Sequence, residues 1–288
     1  MDRAGGGVQP LTSVTVDLHL HSTASDGECD PARVVDLAAA RGLAAIALTD
    51  HDTVAGVSAA QAAGARLSLR VVGGCEFSVA APWGEMHVLG YFLPPDSPPL
   101  EDFLAARRAD RLRRAEAMVG KLAGVGVNIT FDSVLREAGG GALGRPHVAR
   151  ALVRQRLAGS LDDAFDRFLG RGRPAFVPKS LPEFGQVAEL VHQVGGIVSA
   201  AHLNRRGTRT ALKGFKAQGL DAVETRHPSH DPDVRARLTD LALELGLLRT
   251  GGSDWHGDGL AGESHGPMGS QQVPLEWLTQ LDARGAAG

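Results

Sequence analysis

The chain of 288 residues carries 30 Lys and Arg against 33 Asp and Glu, a formal charge of −3. That near balance gives no global attraction to polyanions, so duplex DNA readout is not expected, and any bound nucleic acid must be held by a local basic patch or a metal site. Two cysteines, Cys29 and Cys75, are too few for a disulfide framework or a zinc ribbon and fit a reducing compartment. The first residues lack the pattern of a secretory signal, and no later stretch stays apolar long enough to span a bilayer, so a cytoplasmic protein is expected.

In chain order, "VTVDLHL" alternates strictly. Val14, Val16, Leu18 and Leu20 fall on one face and Asp17, His19 and His21 on the other, which predicts a strand with a histidine-bearing side. Asp30 and Pro31 form an N-cap and first turn for the helix "PARVVDLAAARG", which closes at Gly42. "LAAIALTD" follows as a buried strand, "VAGVSAAQAAGARL" as a helix, and "LRVVGGCEFSVA" and "GEMHVLGYFL" as further strands. Such alternation specifies βαβ units.

From about Leu100 to Leu169 the pattern is helical throughout, with "LEDFLAARRADRLRRAEAMVGKLAGVG", "FDSVLREAG", "RPHVARALVRQR" and "LDDAFDRFLG" as candidate helices. The run "RRADRLRR" at 107–114 is expected to be a solvated helix face. After "RGRPAFVPKS" the alternation returns through the strands "GIVSAAH", "DAVETRH" and "LLRTGGSDWH". The expected division is a flexible N-terminal tail over 1–13, a barrel over 14–98 and 171–270 interrupted by a helical insertion over 99–170, and a frayed C-terminal tail over 271–288.

Loops converge at the carboxyl ends of the strands in a parallel α/β barrel, and sites are built there. The first strand ends in His19 and His21, the second in Asp50, His51 and Asp52, and the third in Cys75 and Glu76. The fourth carries His87, and later strands end in His202, in "ETRHPSH" with His227 and His230, and in "GSDWH" with Asp254 and His256. Any one of these alone reads better as a satisfied core or loop residue; together they point to one opening. His192 and His265 are set aside as a mid-helix and a tail residue. Imidazole and carboxylate without positioned cysteine suit a hydrolytic site for manganese, iron(II) or zinc. The ligands exceed one ion's needs, so two or three divalent ions per chain are expected, manganese first, sharing a bridging carboxylate.

The set "DLHLHSTASDG", "TDHD", "GGCEFS", "GEMHVLGYF", "SAAHLNR" and "GSDWHG" resembles the PHP (polymerase and histidinol phosphatase) family of metal-dependent phosphoesterases. The likeness is nearest to the bacterial branch that removes the 3′-phosphate of nucleoside 3′,5′-bisphosphates and includes 5′-to-3′ exoribonuclease activity on short RNA. It spans Val14 to Gly257 and implies a distorted (β/α)7 barrel with a trinuclear site. Carried over by motif, His19, His21, Glu76 and Asp254 hold one ion, and Glu76 bridges to a second on His87 and His202. Asp26, His51 and His256 hold a third. The family's histidine motif often continues with proline, whereas this chain has "AHLNR".

The implied chemistry is hydrolysis of a phosphate ester by a metal-activated hydroxide. Asp50 and His230 are the expected catalytic side chains; Asp50 and Asp52 also suit positions behind the ligands, orienting a ring or a water. Arg145 and His147, near a helix start, are expected to meet a substrate phosphate, as are His227 and His230 and, more weakly, Lys179 and Arg205. A nucleotide or short RNA is the expected substrate. Another phosphomonoester, such as histidinol phosphate or a sugar phosphate, is the alternative, and a metal-binding regulatory module without catalysis is a third reading.

Overall fold

The computed structural model describes residues 14–260 and 265–285; the expected tail over 1–13 lies outside the described residues. Strand β1 (Thr15–Leu20) is buried on both faces from Val16 onward, so the strict alternation sorts its side chains between an apolar packing layer and a polar interior. Helix α1 (Pro31–Ala40) starts as expected, with Asp30 accepting from the Arg33 amide at 2.9 Å and Pro31 in the first turn. Strand β2 (Ala45–Leu48), helix α2 (Val57–Leu67) and strand β3 (Arg70–Ala81) complete two parallel βαβ units.

Strand β4 (Gly84–Tyr91) departs from that plan, running antiparallel to β3 over eight residue pairs. Only Pro82 and Trp83 separate the strands, too few for a crossover, and Gly84 supplies the positive φ of 112° that the turn needs.

Four helices follow: α3 (Pro98–Gly124), α4 (Phe131–Ala138), α5 (Arg145–Arg154) and α6 (Leu161–Ala164), the last running into a π turn over Phe165–Leu169. They enclose a core of their own that includes Met118, Leu122, Val134, Val148, Leu152 and Leu169. The first half of α3 packs instead on the barrel, where Leu100 and Leu104 join Phe77, Phe184 and Leu212. One long helix thus anchors the insertion. Its basic run is not uniformly solvated: Arg111 and Arg114 are buried, because the docked face of α3 is wide enough to turn every third or fourth side chain toward the barrel.

Helix α7 (Phe184–Gln193), strand β5 (Ile197–Ala200), helix α8 (Arg209–Lys216), strand β6 (Ala222–Arg226), helix α9 (Pro232–Leu245) and strand β7 (Leu248–Gly251) restore the alternation. The residues expected to fray form a two-residue strand β8 (Val273–Pro274), antiparallel to β1, and helix α10 (Leu275–Gly285). Val273, Trp277, Leu278 and Leu281 are buried against Val16, Leu18 and Ile197, each large side chain contributing roughly 1.5–3 kcal/mol by burial. This segment is a structural part of the barrel.

The sheet order is β7-β6-β5-β4-β3-β2-β1-β8, a nearly closed barrel. Beyond β7, a bridge between Leu20 and Trp255 brings the two ends of the sheet together, so the carboxyl ends of β1, β2 and β7 face one opening. Among the described residues no helix is long and apolar enough to cross a membrane.

Candidate metal centre

Glu76, 1% exposed, lies at the middle of a shell of imidazoles. Its Oε2 is 3.3 Å from His19 Nε2, 3.2 Å from His21 Nε2 and 3.2 Å from His51 Nδ1. Its Oε1 is 2.8 Å from His87 Nδ1 and 2.9 Å from His202 Nε2. The carboxylate therefore faces two groups of histidines with different oxygens. Asp254 Oδ1 closes the first group at 3.3 Å from His19 Nε2 and 3.1 Å from His21 Nε2. Asp26 forms a third grouping, with Oδ1 at 3.3 Å from His256 Nε2 and 3.8 Å from His21 Nδ1, and Oδ2 at 3.9 Å from His51 Nε2. The structure thus brings all nine expected ligand side chains together, from strand ends and loops spread over more than two hundred positions.

The residues fit divalent cations. His19 Nε2, both ring nitrogens of His21, His51 Nδ1 and Asp254 Oδ1 are buried without a hydrogen-bond partner, a costly state for polar atoms unless something else binds them. Ligands about 2.1 Å from one ion stand roughly 3.0–3.4 Å apart in octahedral or tetrahedral arrangements, the spacing found between the His19, His21, Glu76 and Asp254 donors. Burial opposes ionisation of Glu76, Asp26 and Asp254, yet the surrounding histidines hold all three carboxyls well below the usual range. Burial disfavours the charged form of His21 as well, and Asp254 and Glu76 override it to hold the pKa at about 10. His51 goes the other way: burial dominates and lowers it to about 3. Three buried carboxylates so close together need positive charge beside them, which protons or metal ions can supply.

A supporting layer fixes the ligands. Glu224, fully buried, sits 3.1 Å from His19 Nδ1 and accepts from the His202 amide at 2.8 Å. With the Nδ1 proton directed to this carboxylate, His19 Nε2 is left as the ligating lone pair. Glu224 lies within "ETRHPSH" but was not expected at the site; its place on β6, two residues after the buried Ala222 and so on the same side of the strand, was the available signal. Asp17 accepts from the Ser253 and Gly269 amides at 2.9 and 2.8 Å and ties β1 to segments on both sides of Asp254. Asp52, His202 and Asp254 adopt φ of 50°, 30° and 51°, conformations that non-glycine residues seldom hold outside functional sites.

Several expected roles are redrawn. Both oxygens of Asp50 are engaged, by the Ser22 amide at 2.8 Å, Ser22 Oγ at 2.7 Å and Ser25 Oγ at 2.7 Å; it shapes the loop carrying His21 and Asp26 and does not line the cleft, so it is not a catalytic group. His230 is likewise occupied, with Nε2 accepting from the Asn204 amide at 3.1 Å and Nδ1 at 3.3 Å from the Thr225 carbonyl. Burial lowers its pKa to about 4. It pins the loop after β5 and suits neither the catalytic nor the substrate-binding role. His147 is buried, and its Nδ1 accepts from the Gly144 amide at 2.9 Å. It caps α5 and makes no wall of the cleft. His227 lies inside the cluster, 3.4 Å from Asp254 Oδ2.

The centre opens into a well of about 260 Å³ walled by Glu76, Asp254 and histidines that include His227 and His265. A larger cavity of about 800 Å³ adjoins it, sharing His51, His87, His256 and His265, and its lining carries the cations Arg111, Arg114, Arg145, Arg150 and Lys179 against the carboxylates Asp26, Glu85 and Asp162. Arg145 stands between the Phe165 and Phe176 rings at 5.8 and 6.0 Å and has no acceptor among the described residues. Lys179 bonds Ser78 Oγ at 2.8 Å and also Glu85. Arg205 lies apart, in a neighbouring cavity. His265, read from sequence as a tail residue, has Nδ1 3.0 Å from the Asp254 carbonyl and 3.2 Å from its Oδ2. The Gly-rich stretch around it was the available signal.

The PHP domain model matches residues 17–193. The chain is 33% identical over 245 residues to a 5′-3′ exoribonuclease of Haemophilus influenzae, covering 83% of this chain and 89% of that one. It is also 33% identical over 259 residues to a 3′,5′-nucleoside bisphosphate phosphatase of Chromobacterium violaceum, covering 87% and 90%. The fold superposes on a metal-dependent phosphoesterase structure from Bifidobacterium adolescentis with a TM-score of 0.87 at 31% identity, over 96% of this chain and 98% of the other. With a histidine and carboxylate cluster at one barrel mouth and likeness along nearly its whole length, the chain belongs to the PHP domain family.

Proposed function

We propose that this chain is a metal-dependent phosphoesterase that hydrolyses the 3′-phosphate of nucleoside 3′,5′-bisphosphates, with two or three divalent ions, manganese foremost, held by His19, His21, Asp26, His51, Glu76, His87, His202, Asp254 and His256. The observation that carries this reading is the pairing of the Glu76-centred well with a cationic cavity of nucleotide size beside it. When bound, the ions supply Lewis acidity and lower the pKa of water.

The chain's own residues divide the remaining work. Glu224 holds the His19 ring in one tautomer, and Asp17 and Asp50 keep the loops that present the ligands in register. Arg145 offers a planar guanidinium, stiffened by its two phenylalanines, to the second phosphate of the substrate, while Arg114, Arg150 and Lys179 add positive charge along the same wall. His265 faces both the well and the large cavity, with Nδ1 fixed on Asp254. It stands where a proton can be passed to the departing 3′-oxygen. A monophosphate lacks the group that Arg145 grips, and this separates the nucleotide reading from a general phosphomonoesterase.

The test is a panel of adenosine 3′,5′-bisphosphate, AMP and histidinol phosphate, assayed with added manganese and again with chelator. The bisphosphate is expected to show the highest kcat/KM, by at least about tenfold, and chelator to abolish release. Preference for histidinol phosphate, or no release from any ester, overturns the proposal.

A further inference from the structure

Glu85 lies in the lining of the large cavity and of a neighbouring cavity of about 650 Å³, where phosphate is expected to approach. A carboxylate there opposes an anionic substrate unless its charge is neutralised and used elsewhere. Both conditions are met. Glu85 stands on β4 two residues before His87, so the pleat sends the two side chains to the same side of the strand. Its Oε1 is 3.0 Å from His87 Nε2 and also accepts from Lys179 Nζ. Lys179, largely buried, is fixed in turn by donating to Ser78 Oγ at 2.8 Å, and Ser78 is the residue directly across from His87 on β3. The lysine thus cancels the carboxylate's charge and holds it against the ring.

We propose that Glu85 is a positioning residue that fixes the tautomer of His87 and thereby sets how tightly the second cation, shared by Glu76, His87 and His202, is held. This rests on the multi-ion reading and adds which residue controls one of its sites. A neutral imidazole carries one proton and one lone pair, and a metal takes the lone pair. His87 Nδ1 faces Glu76 Oε1 at 2.8 Å, the side on which the other ligands converge, so it is the nitrogen that must stay bare. Glu85 supplies an acceptor on the opposite side and keeps the proton on Nε2. His19 is governed in the opposite sense, with Glu224 taking Nδ1–H and Nε2 left bare. Across the two oxygens of Glu76, each group therefore has one histidine backed by a carboxylate. The ring of His202, the other imidazole of the second group, has no hydrogen-bond partner but Glu76 among the described residues. Glu85 is then the group that preorganises that site. Its side chain is 29% exposed where that of Glu224 is fully buried, so the second cation is expected to be the more weakly held of the bridged pair.

The test is equilibrium dialysis of the metal-free protein against graded manganese, with bound metal counted by elemental analysis, in wild type, Glu85→Gln and Asp162→Asn. Glu85→Gln keeps the shape of the side chain and removes the charge that orients His87. One cation per chain is expected to weaken by about tenfold or more, with the others nearly unchanged. Asp162→Asn removes a carboxylate of the same cavity that bonds none of the ligand histidines, and is expected to bind manganese as wild type does. The unfolding midpoint of metal-free Glu85→Gln is expected to match wild type. Unchanged binding in Glu85→Gln, equal weakening of every cation, an equal loss in Asp162→Asn or a lowered midpoint overturns the inference while the multi-ion reading stands. Wild-type protein that binds fewer than two cations at saturation overturns both.

Discussion

Asp52 and Arg111 form a buried ion pair across the junction of the barrel and the helical insertion, with Arg111 Nε 2.7 Å and Nη2 2.6 Å from Asp52 Oδ2. Arg111 is a wall of the large cavity, and Asp52 follows His51 directly. The pair therefore couples the position of the insertion to the metal centre. Asp52→Asn keeps a side chain that tolerates the positive φ but leaves a buried guanidinium without its counter-charge, and is expected to destabilise the fold by about 3–5 kcal/mol. Urea unfolding of Asp52→Asn, Arg111→Met and the double variant checks this. The double variant is expected to be less destabilised than the sum of the two single changes.

Glu224 touches one expected ligand through its ring and another through its backbone. Glu224→Gln keeps the shape and loses the charge that orients His19. Metal affinity is expected to fall about 10- to 100-fold, measured by titration against a competing chelator, with the unfolding midpoint of the metal-free protein little changed.

Removing a ligand is a harsher change than loosening one. Glu76→Ala and Asp254→Ala are each expected to lose bound metal and at least about 100-fold in activity together. Elemental analysis alongside phosphate release tests this; a variant that keeps its metal complement would show that the carboxylate is not a ligand.

The proposed role of Arg145 separates binding of substrate from binding of metal. Arg145→Ala is expected to leave the metal content intact and to reduce kcat/KM for a 3′,5′-bisphosphate by about 10- to 100-fold, the value of a charge-assisted hydrogen bond in a cleft. Hydrolysis of a substrate with a single phosphate is expected to change far less, and steady-state kinetics on the two substrates gives the ratio.

His147 has its pKa lowered from 6.5 to about 4, chiefly by burial and further by Arg150 and Arg111, against an opposing effect of Asp26. Between about pH 6.5 and 4 the unfolded chain binds a proton that the folded chain does not. Its contribution to stability is therefore complete above about pH 6.5 and is lost as pH falls toward 4, by at most about 3 kcal/mol. His147→Gln keeps an acceptor for the Gly144 amide and cannot titrate. Chemical denaturation across this range is expected to show a flatter pH dependence in the variant than in the wild type.

The histidine and carboxylate cluster was legible in the sequence partly because strand geometry is local, and the division of its members among ions came only from the family resemblance. The alternation of β1 sets His19 and His21 on one side of a strand, and His51, His202 and Asp254 follow shortly after the ends of β2, β5 and β7, whereas His87 lies within β4 and Asp26 in the turn after β1. The same periodicities marked the barrel elements and the insertion. Alternation does not reveal strand direction, so the antiparallel β4 emerged only in the structure, where a two-residue turn leaves no other course.

What the sequence by itself determined was the order of elements and the set of side chains able to bind metal, because both follow from short-range repeats of period 2 and 3.6. Tertiary structure alone decided which polar groups were already occupied and which were left free. Asp50, His147 and His230 sit in motifs that look catalytic, yet each is held by hydrogen bonds from nearby loops, at least one of them to a backbone amide. Arg111, Arg114, Glu224 and His265 look unremarkable in the chain and line or support the site, because helix docking and loop return bring them there. A side chain's function depends on whether its polar atoms are satisfied, and for Asp50 and His230 the partner amides lie more than twenty residues away in sequence.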